Sequence, residues 1–133
     1  MAADFKTNLE NIGFEKYLKK LVKKLAGKKV VIYGTGTFFQ YIQKNYDLSG
    51  LNIIGVSDMK FSNEQEGQDF LGYKIIPKSR IAEYPVDCVL VATLQYLSIV
   101  EDFCLNVFNK TKIKVYPLAR IPLSQMIKHI WES

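Results

Sequence analysis

Histidine occurs once, at His129, and cysteine twice, at Cys88 and Cys104, in a chain of 133 residues. One imidazole, far in sequence from the Gly34-Thr35-Gly36 turn, points to a surface or interface residue rather than a general base. The two cysteines lack metal-type spacing and fall in segments that read as strand and helix. They are expected to be buried thiols of a cytoplasmic protein, not a disulfide. No apolar run approaches the ~20 residues of a membrane span, and the start, Met1-Ala-Ala-Asp-Phe-Lys6, has no apolar core of a secretory leader. No G-x-S-x-G elbow occurs, and no Walker lysine follows Gly36. Tyr41 and Lys44 stand three apart, not the four of a dehydrogenase Tyr/Lys pair. Glu64, Glu66 and Asp69 crowd one polar stretch and read as solvated. No catalytic residue and no metal ligand is therefore assigned, and reaction chemistry is not visible in the sequence.

What the chain does have is positive charge. Eighteen Lys and Arg against thirteen Asp and Glu give a net +5 and a pI near 9.1. Much of the excess lies at Lys16, Lys19, Lys20, Lys23, Lys24, Lys28 and Lys29. The first five alternate with Phe14, Tyr17, Leu18, Leu21, Val22 and Leu25 at the spacing of one helical face. That pattern reads as a packed helix with a solvated lysine side, the alternative being a helix on an acidic membrane surface or partner. No aromatic-and-basic motif accompanies the lysines, so nucleic acid is not expected as a partner. Nor, on the bland reading, is a membrane.

Helical and strand-like periods alternate along the chain. A helix is predicted from about Thr7 to Leu25, stopped at Gly27. Lys29 to Tyr33 is a continuous apolar, β-branched strand of the kind covered on both faces. A helix follows from Thr37, with Phe38, Tyr41 and Ile42 turned inward and Phe39 a further inward candidate. Asn52 to Ser57 is a second strand, and Asp58 to Asp69 reads as a mobile polar loop. Leu71 to Ile76 is a short edge strand ended by Pro77, and Ser79 to Tyr84 a small helix. Val86 to Ala92 is a second buried strand, Gln95 to Phe108 an amphipathic helix, and Lys112 to Tyr116 a last strand. Pro122 can open a terminal helix whose face carries Met126, Ile127, Ile130 and Trp131.

This order predicts an α/β fold: a Rossmann-like three-layer sandwich of about five mostly parallel strands with helices on both faces. It is read as one domain over 1–133, with 1–27 packing on it as an N-terminal helix and 118–133 as a C-terminal one.

The most informative residues are Gly34 and Gly36 in Val30-Val31-Ile32-Tyr33-Gly34-Thr35-Gly36. A chain that turns straight from strand into helix presents free N–H groups and the positive end of a helix dipole, a natural seat for phosphate. Glycine suits both positions because a side chain would crowd the turn or the pyrophosphate. The pocket is assigned to Gly34, Thr35, Gly36, Thr37, Phe38, Asp58 and Thr93. Asp58 stands 22 residues after Gly36, where dinucleotide folds place the acid that accepts hydrogen bonds from ribose. It is equally a loop aspartate at a strand end. A carboxylate there would repel a 2′-phosphate, favouring NAD or a uridine nucleotide over NADP. Thr93 and Gln95 could bond a base or sugar, though Thr93 also suits a helix cap. The third glycine of G-x-G-x-x-G is replaced by Phe39, which is expected to push the helix outward or turn into the pocket mouth.

Gly27-Lys-Lys-Val-Val-Ile-Tyr-Gly-Thr-Gly36, Asn52-Ile-Ile-Gly-Val-Ser-Asp58, Phe70-Leu-Gly-Tyr-Lys-Ile-Ile-Pro77 and Asp87-Cys-Val-Leu-Val-Ala-Thr93 together resemble the Rossmann-like domains of bacterial surface-polysaccharide sugar enzymes. The resemblance covers roughly Lys28 to Pro117. Two types are similar: the N-terminal domain of sugar acetyltransferases acting on bacillosamine-type and sialic-acid glycans, and that of membrane-linked nucleotide-sugar dehydratases and epimerases. It implies a module holding a nucleotide or nucleotide-sugar, with Gly34, Gly36 and Asp58 at the family's pocket positions. In the acetyltransferases the catalytic histidine lies in an appended β-helix, and in the dehydratases the chemistry sits in a second Rossmann domain. Neither is part of this sequence, so the resemblance implies binding rather than catalysis, in an accessory protein or a piece of something larger.

Three readings stand at this point. The leading one is a cytoplasmic nucleotide or nucleotide-sugar binding module of bacterial glycan biosynthesis, with a nucleotide-sugar or NAD as the favoured ligand. The second is an NAD-binding subunit or fragment of a sugar-modifying enzyme (dehydratase/epimerase, acetyltransferase or methyltransferase) working with a sugar-enzyme partner. The third is a structural or regulatory adapter with a vestigial pocket and a homodimer contact through the C-terminal helix.

Overall fold

The computed structural model describes residues 7, 9–11, 13–92 and 113–119. Helix α1, Phe14–Lys24, buries Phe14, Leu18 and Leu21, which recur on one side at four- and three-residue steps. It begins later than the sequence suggests. Residues 9–11 are helical, but Gly13 adopts φ 66, and its N–H closes a turn on the Glu10 carbonyl at 3.1 Å. Lacking Cβ, it takes the left-handed conformation that interrupts one long helix. The stop beyond α1 is as expected, with Gly27 at φ 76.

Four strands form one parallel sheet: β1 (Lys29–Tyr33), β2 (Asn52–Ser57), β5 (Cys88–Val91) and β6 (Lys114–Pro117), in the order β2-β1-β5-β6. Helix α2, Thr37–Asn45, carries the chain from β1 to β2. The parallel sheet and its helices make an α/β architecture, as the alternating periods predict, with four strands in the sheet among the described residues. Strand order runs outward from β1 in both directions, so the carboxyl ends of β1 and β5 flank the point where the winding reverses.

The edge beyond β2 differs from expectation. The Leu71 to Ile76 segment does not run as one strand. Instead β3 (Asp69–Phe70) and β4 (Tyr73–Lys74) pair antiparallel across a tight turn whose central residues, Leu71 and Gly72, sit at φ 55 and 87. Positive φ at both central positions makes the kind of turn that matches strand twist. Only Ile75 joins the main sheet, through a parallel bridge to Val56. The polar stretch before it is tied down. Asn63–Gln65 forms a short 3-10 turn closed by a capping box between Ser62 and Gln65, and the Gly67 N–H bonds the Ile75 carbonyl at 2.9 Å. Glu66, expected to be solvated, accepts from the Tyr84 hydroxyl and pairs with Arg80 at 3.3 Å. Lys78–Glu83 winds as 3-10 helix, as the small helix expected there.

Both sheet faces are apolar. Val30, Ile32, Val56, Cys88 and Leu90 meet α1 and α2 on one side, and Val31, Tyr33, Val89 and Val91 pack with Ile76, Ile81 and Val86 on the other. This is why β1 reads as an unbroken apolar run. Phe39 takes the inward one of its two expected positions: it is fully buried beside Ile42, under α2, with its ring 6.3 Å from that of Tyr73. It fills the layer between helix and sheet rather than the pocket mouth, so the space that a glycine would have closed is occupied by a ring. Tyr17 fastens α1 to the far strand, its hydroxyl donating to the Pro117 carbonyl at 2.7 Å. The segments 95–108 and 118–133, read as helices, lie outside the described residues except for 118 and 119. Among the described residues, no helix is long and apolar enough to cross a membrane.

Candidate functional site

The two glycines have different reasons to be glycine. Gly34 leaves β1 at φ 107, and its N–H bonds the Ser57 carbonyl at 2.9 Å. A Cβ there would lie 3.0 Å from the carbonyl oxygen of Ala92, at the end of β5. Backbone geometry and close approach both demand it. Gly36 is the N-cap of α2 at φ −79 and ψ −164, a conformation open to any residue. A Cβ at Gly36 would meet nothing within 4 Å. Nothing among the described residues requires glycine at this point.

The start of α2 carries no cap or acid of its own. Gly36 supplies no side-chain cap, and the first turn contains no acidic residue. Ser, Thr, Asn or Asp at this position would satisfy an early N–H from within. Glycine leaves the donors and the positive end of the dipole to whatever enters the open space above. Thr37 is exposed there and Phe38 half-buried. Gln40 braces the turn, its side-chain N–H donating to the Thr35 carbonyl at 3.0 Å.

Asp58 reaches the same turn from the end of β2. Its Oδ2 accepts the Thr35 N–H at 2.7 Å and the Thr35 hydroxyl at 2.9 Å, while Oδ1 accepts the Lys60 N–H at 3.2 Å. Burial opposes its charge, but the hydrogen bonds from Thr35 and Lys60, with the Lys60 ammonium, outweigh it and hold the carboxyl below its ordinary range. Thr35 itself is fully buried. The structure thus brings Gly34, Thr35, Gly36, Thr37, Phe38 and Asp58 into one neighbourhood at the carboxyl edge of the sheet. Thr93 and Gln95 lie outside the described residues, as do His129 and Cys104.

Tyr33 and Ser57, expected at this edge as strand ends, carry no assigned role in the sequence, and Lys78 is not expected there at all. Ser57 is fully buried, and its hydroxyl has no hydrogen-bond partner among the described residues. In register opposite it stands Tyr33, whose phenol is pushed up by burial and by the charge of Asp58. The Lys78 ammonium lies 5.8 Å from the centre of the Tyr33 ring, and burial lowers its pKa. The sequence places Ser57 here as the polar residue that closes an apolar strand (Ile-Ile-Gly-Val-Ser), but nothing in that pattern shows that its hydroxyl is buried. The neighbourhood can seat an oxyanion at α2 and offer a carboxylate acceptor beside it. Among the described residues, no cluster of His, Cys, Asp or Glu is placed to hold a metal ion. Cys88 is a free, buried thiol pushed up to about 11, chiefly by burial, and it lies within the core.

No curated protein matches the chain. A family model does, over residues 26–114, which takes in β1, the glycine turn, α2, Asp58 and β5. The match covers more than half of the sequence, and the chain belongs to the C2185-like, N-terminal family.

Proposed function

We propose that the chain is a Rossmann-like module that binds a nucleotide or nucleotide-sugar, serving bacterial glycan biosynthesis without a catalytic site of its own. The observation that carries the reading is Gly36: a glycine that no described residue requires, at the N-cap of a helix without a side-chain cap, with nothing among the described residues above it. A pyrophosphate on the N–H groups that open α2 explains it, because a side chain there would stand between backbone and ligand. The winding reversal between β1 and β5 supports the same place, since ligands of such sheets gather beyond the carboxyl ends there. Asp58 has one oxygen committed to Thr35; the other, held only by a 3.2 Å bond, retains acceptor capacity for a ribose hydroxyl. Its charge disfavours a 2′-phosphate, which keeps NAD among the candidate ligands. The glycan context rests on the sequence resemblance alone.

The rival reading, an adapter with a vestigial pocket, draws on the Asp58–Thr35 bond, which satisfies one turn N–H from within. Calorimetry with uridine diphosphate, a uridine diphosphate sugar and NAD separates the two. Binding by the native chain, abolished by Gly36→Val with the melting temperature kept, supports the module. No heat from any of the three nucleotides overturns it.

A further inference from the structure

We propose that the outer face of α1 is an electrostatic docking surface for an anionic phospholipid membrane. At 100° per residue, Lys16, Lys19, Lys20, Lys23 and Lys24 fall within an arc of about 140°, directly opposite the buried Phe14, Leu18 and Leu21. All five are exposed, and Lys28 and Lys29 extend the charge toward the start of β1. Glu15 is the only acid on the helix. The ion pairs among the described residues are those of Arg80 with Glu66 and Glu83, so none involves these lysines. Lys24 alone has a neighbour of note, the Tyr116 ring at 4.2 Å.

The chemistry of the face selects the partner. Protein interfaces favour aromatic residues and arginine at their centres and are poor in lysine. Here the aromatic residues of the helix, Phe14 and Tyr17, are turned toward the core, and arginine is absent from it. Without exposed rings or guanidinium forks, bases cannot be stacked or read. What remains is a convex row of mobile point charges, which suits a fluid anionic surface where each lysine contributes independently. The apolar side of α1 is engaged in the core, so the contact is peripheral. It also leaves the carboxyl edge of the sheet, with Gly36 and Asp58, free for ligand.

Co-sedimentation of the full chain with vesicles tests this. Vesicles of phosphatidylcholine and phosphatidylglycerol in equal parts are expected to bind it, and phosphatidylcholine alone is not. Binding is expected to vanish at ~1 M salt, where the screening length is about 3 Å. Lys20→Gln with Lys23→Gln should weaken partition about 25-fold, at roughly fivefold per lysine. Lys44→Gln with Lys74→Gln, of equal net charge on other surfaces, should change it less than about fivefold. Should the first pair melt early, Lys16→Gln with Lys20→Gln replaces it. The proposal is overturned by failure to bind the anionic vesicles, by equal binding to both vesicle types, by equal losses in the two lysine pairs, or by tighter binding to duplex DNA or an acidic polypeptide.

Discussion

Replacing each glycine of the turn by alanine should separate fold from function. At Gly34, alanine must adopt φ 107, outside the regions open to L-residues, at a cost of roughly 1–2 kcal/mol. Its Cβ must also approach the Ala92 carbonyl to 3.0 Å. That neighbour is backbone at the end of a buried strand and cannot swing away, so β1 and β5 must part slightly. We expect a total loss of about 2–4 kcal/mol, mixing strain with overpacking. At Gly36 the backbone is already permissive and the space empty. The entropy gain of Gly→Ala and the weaker N-cap oppose each other, leaving stability within about 1 kcal/mol of native. Urea unfolding measures both, read from the midpoint at unchanged m-value. Ligand at about 100 times its Kd stabilises the native chain by about 2.7 kcal/mol, and Gly36→Val should lose that increment. If Gly36→Ala destabilises as much as Gly34→Ala, the division drawn here between the two glycines is wrong.

Other expectations follow from the same contacts. Asp58 has a folded pKa below its unfolded value, so its stabilisation is complete above about pH 4. It is lost as pH falls through the folded pKa. Asp58→Asn should therefore flatten the acid limb of the stability curve, and an unchanged limb in urea melts across pH would refute the assignment. Phe39→Ala should cost about 3–5 kcal/mol as a core deletion; a loss below about 1 kcal/mol would mean that the ring is not the packing element described here. The Cys88 thiol, pushed up to about 11, should resist iodoacetamide at neutral pH until the chain unfolds, as peptide mapping can follow.

The sequence was most legible where burial was two-sided. Val30–Tyr33 and Cys88–Val91 are buried on both faces and therefore spell continuous apolar runs. It was least legible where elements are too short to carry a period. Asp69–Phe70 and Tyr73–Lys74 have two residues each, and their turn places a leucine at positive φ, which composition does not announce. Gly13 stands inside an apolar pattern that continues across it, so the pattern hid a break that backbone conformation imposes. The sequence leaves Phe39 with two positions. A ring at a glycine position signals departure from the fingerprint, but only packing decides whether it turns to the core or to the mouth.

The same distinction applies at the site. Spacing placed Asp58 where a ribose acceptor belongs, yet spacing could not reveal that the carboxylate first serves the turn itself, through the Thr35 amide and hydroxyl. That bond has a consequence for ligand placement. On the proposed function, with the Thr35 N–H engaged, a bound phosphate would take its donors further along, where α2 begins. Gly36 is the residue that keeps that stretch of backbone approachable, and its freedom from internal contact is what a binding surface requires. Gly34 and Asp58 shape the turn, and Gly36 leaves it open. A valine at Gly36 that melted normally and still bound a nucleoside diphosphate would break this chain of reasoning at its centre.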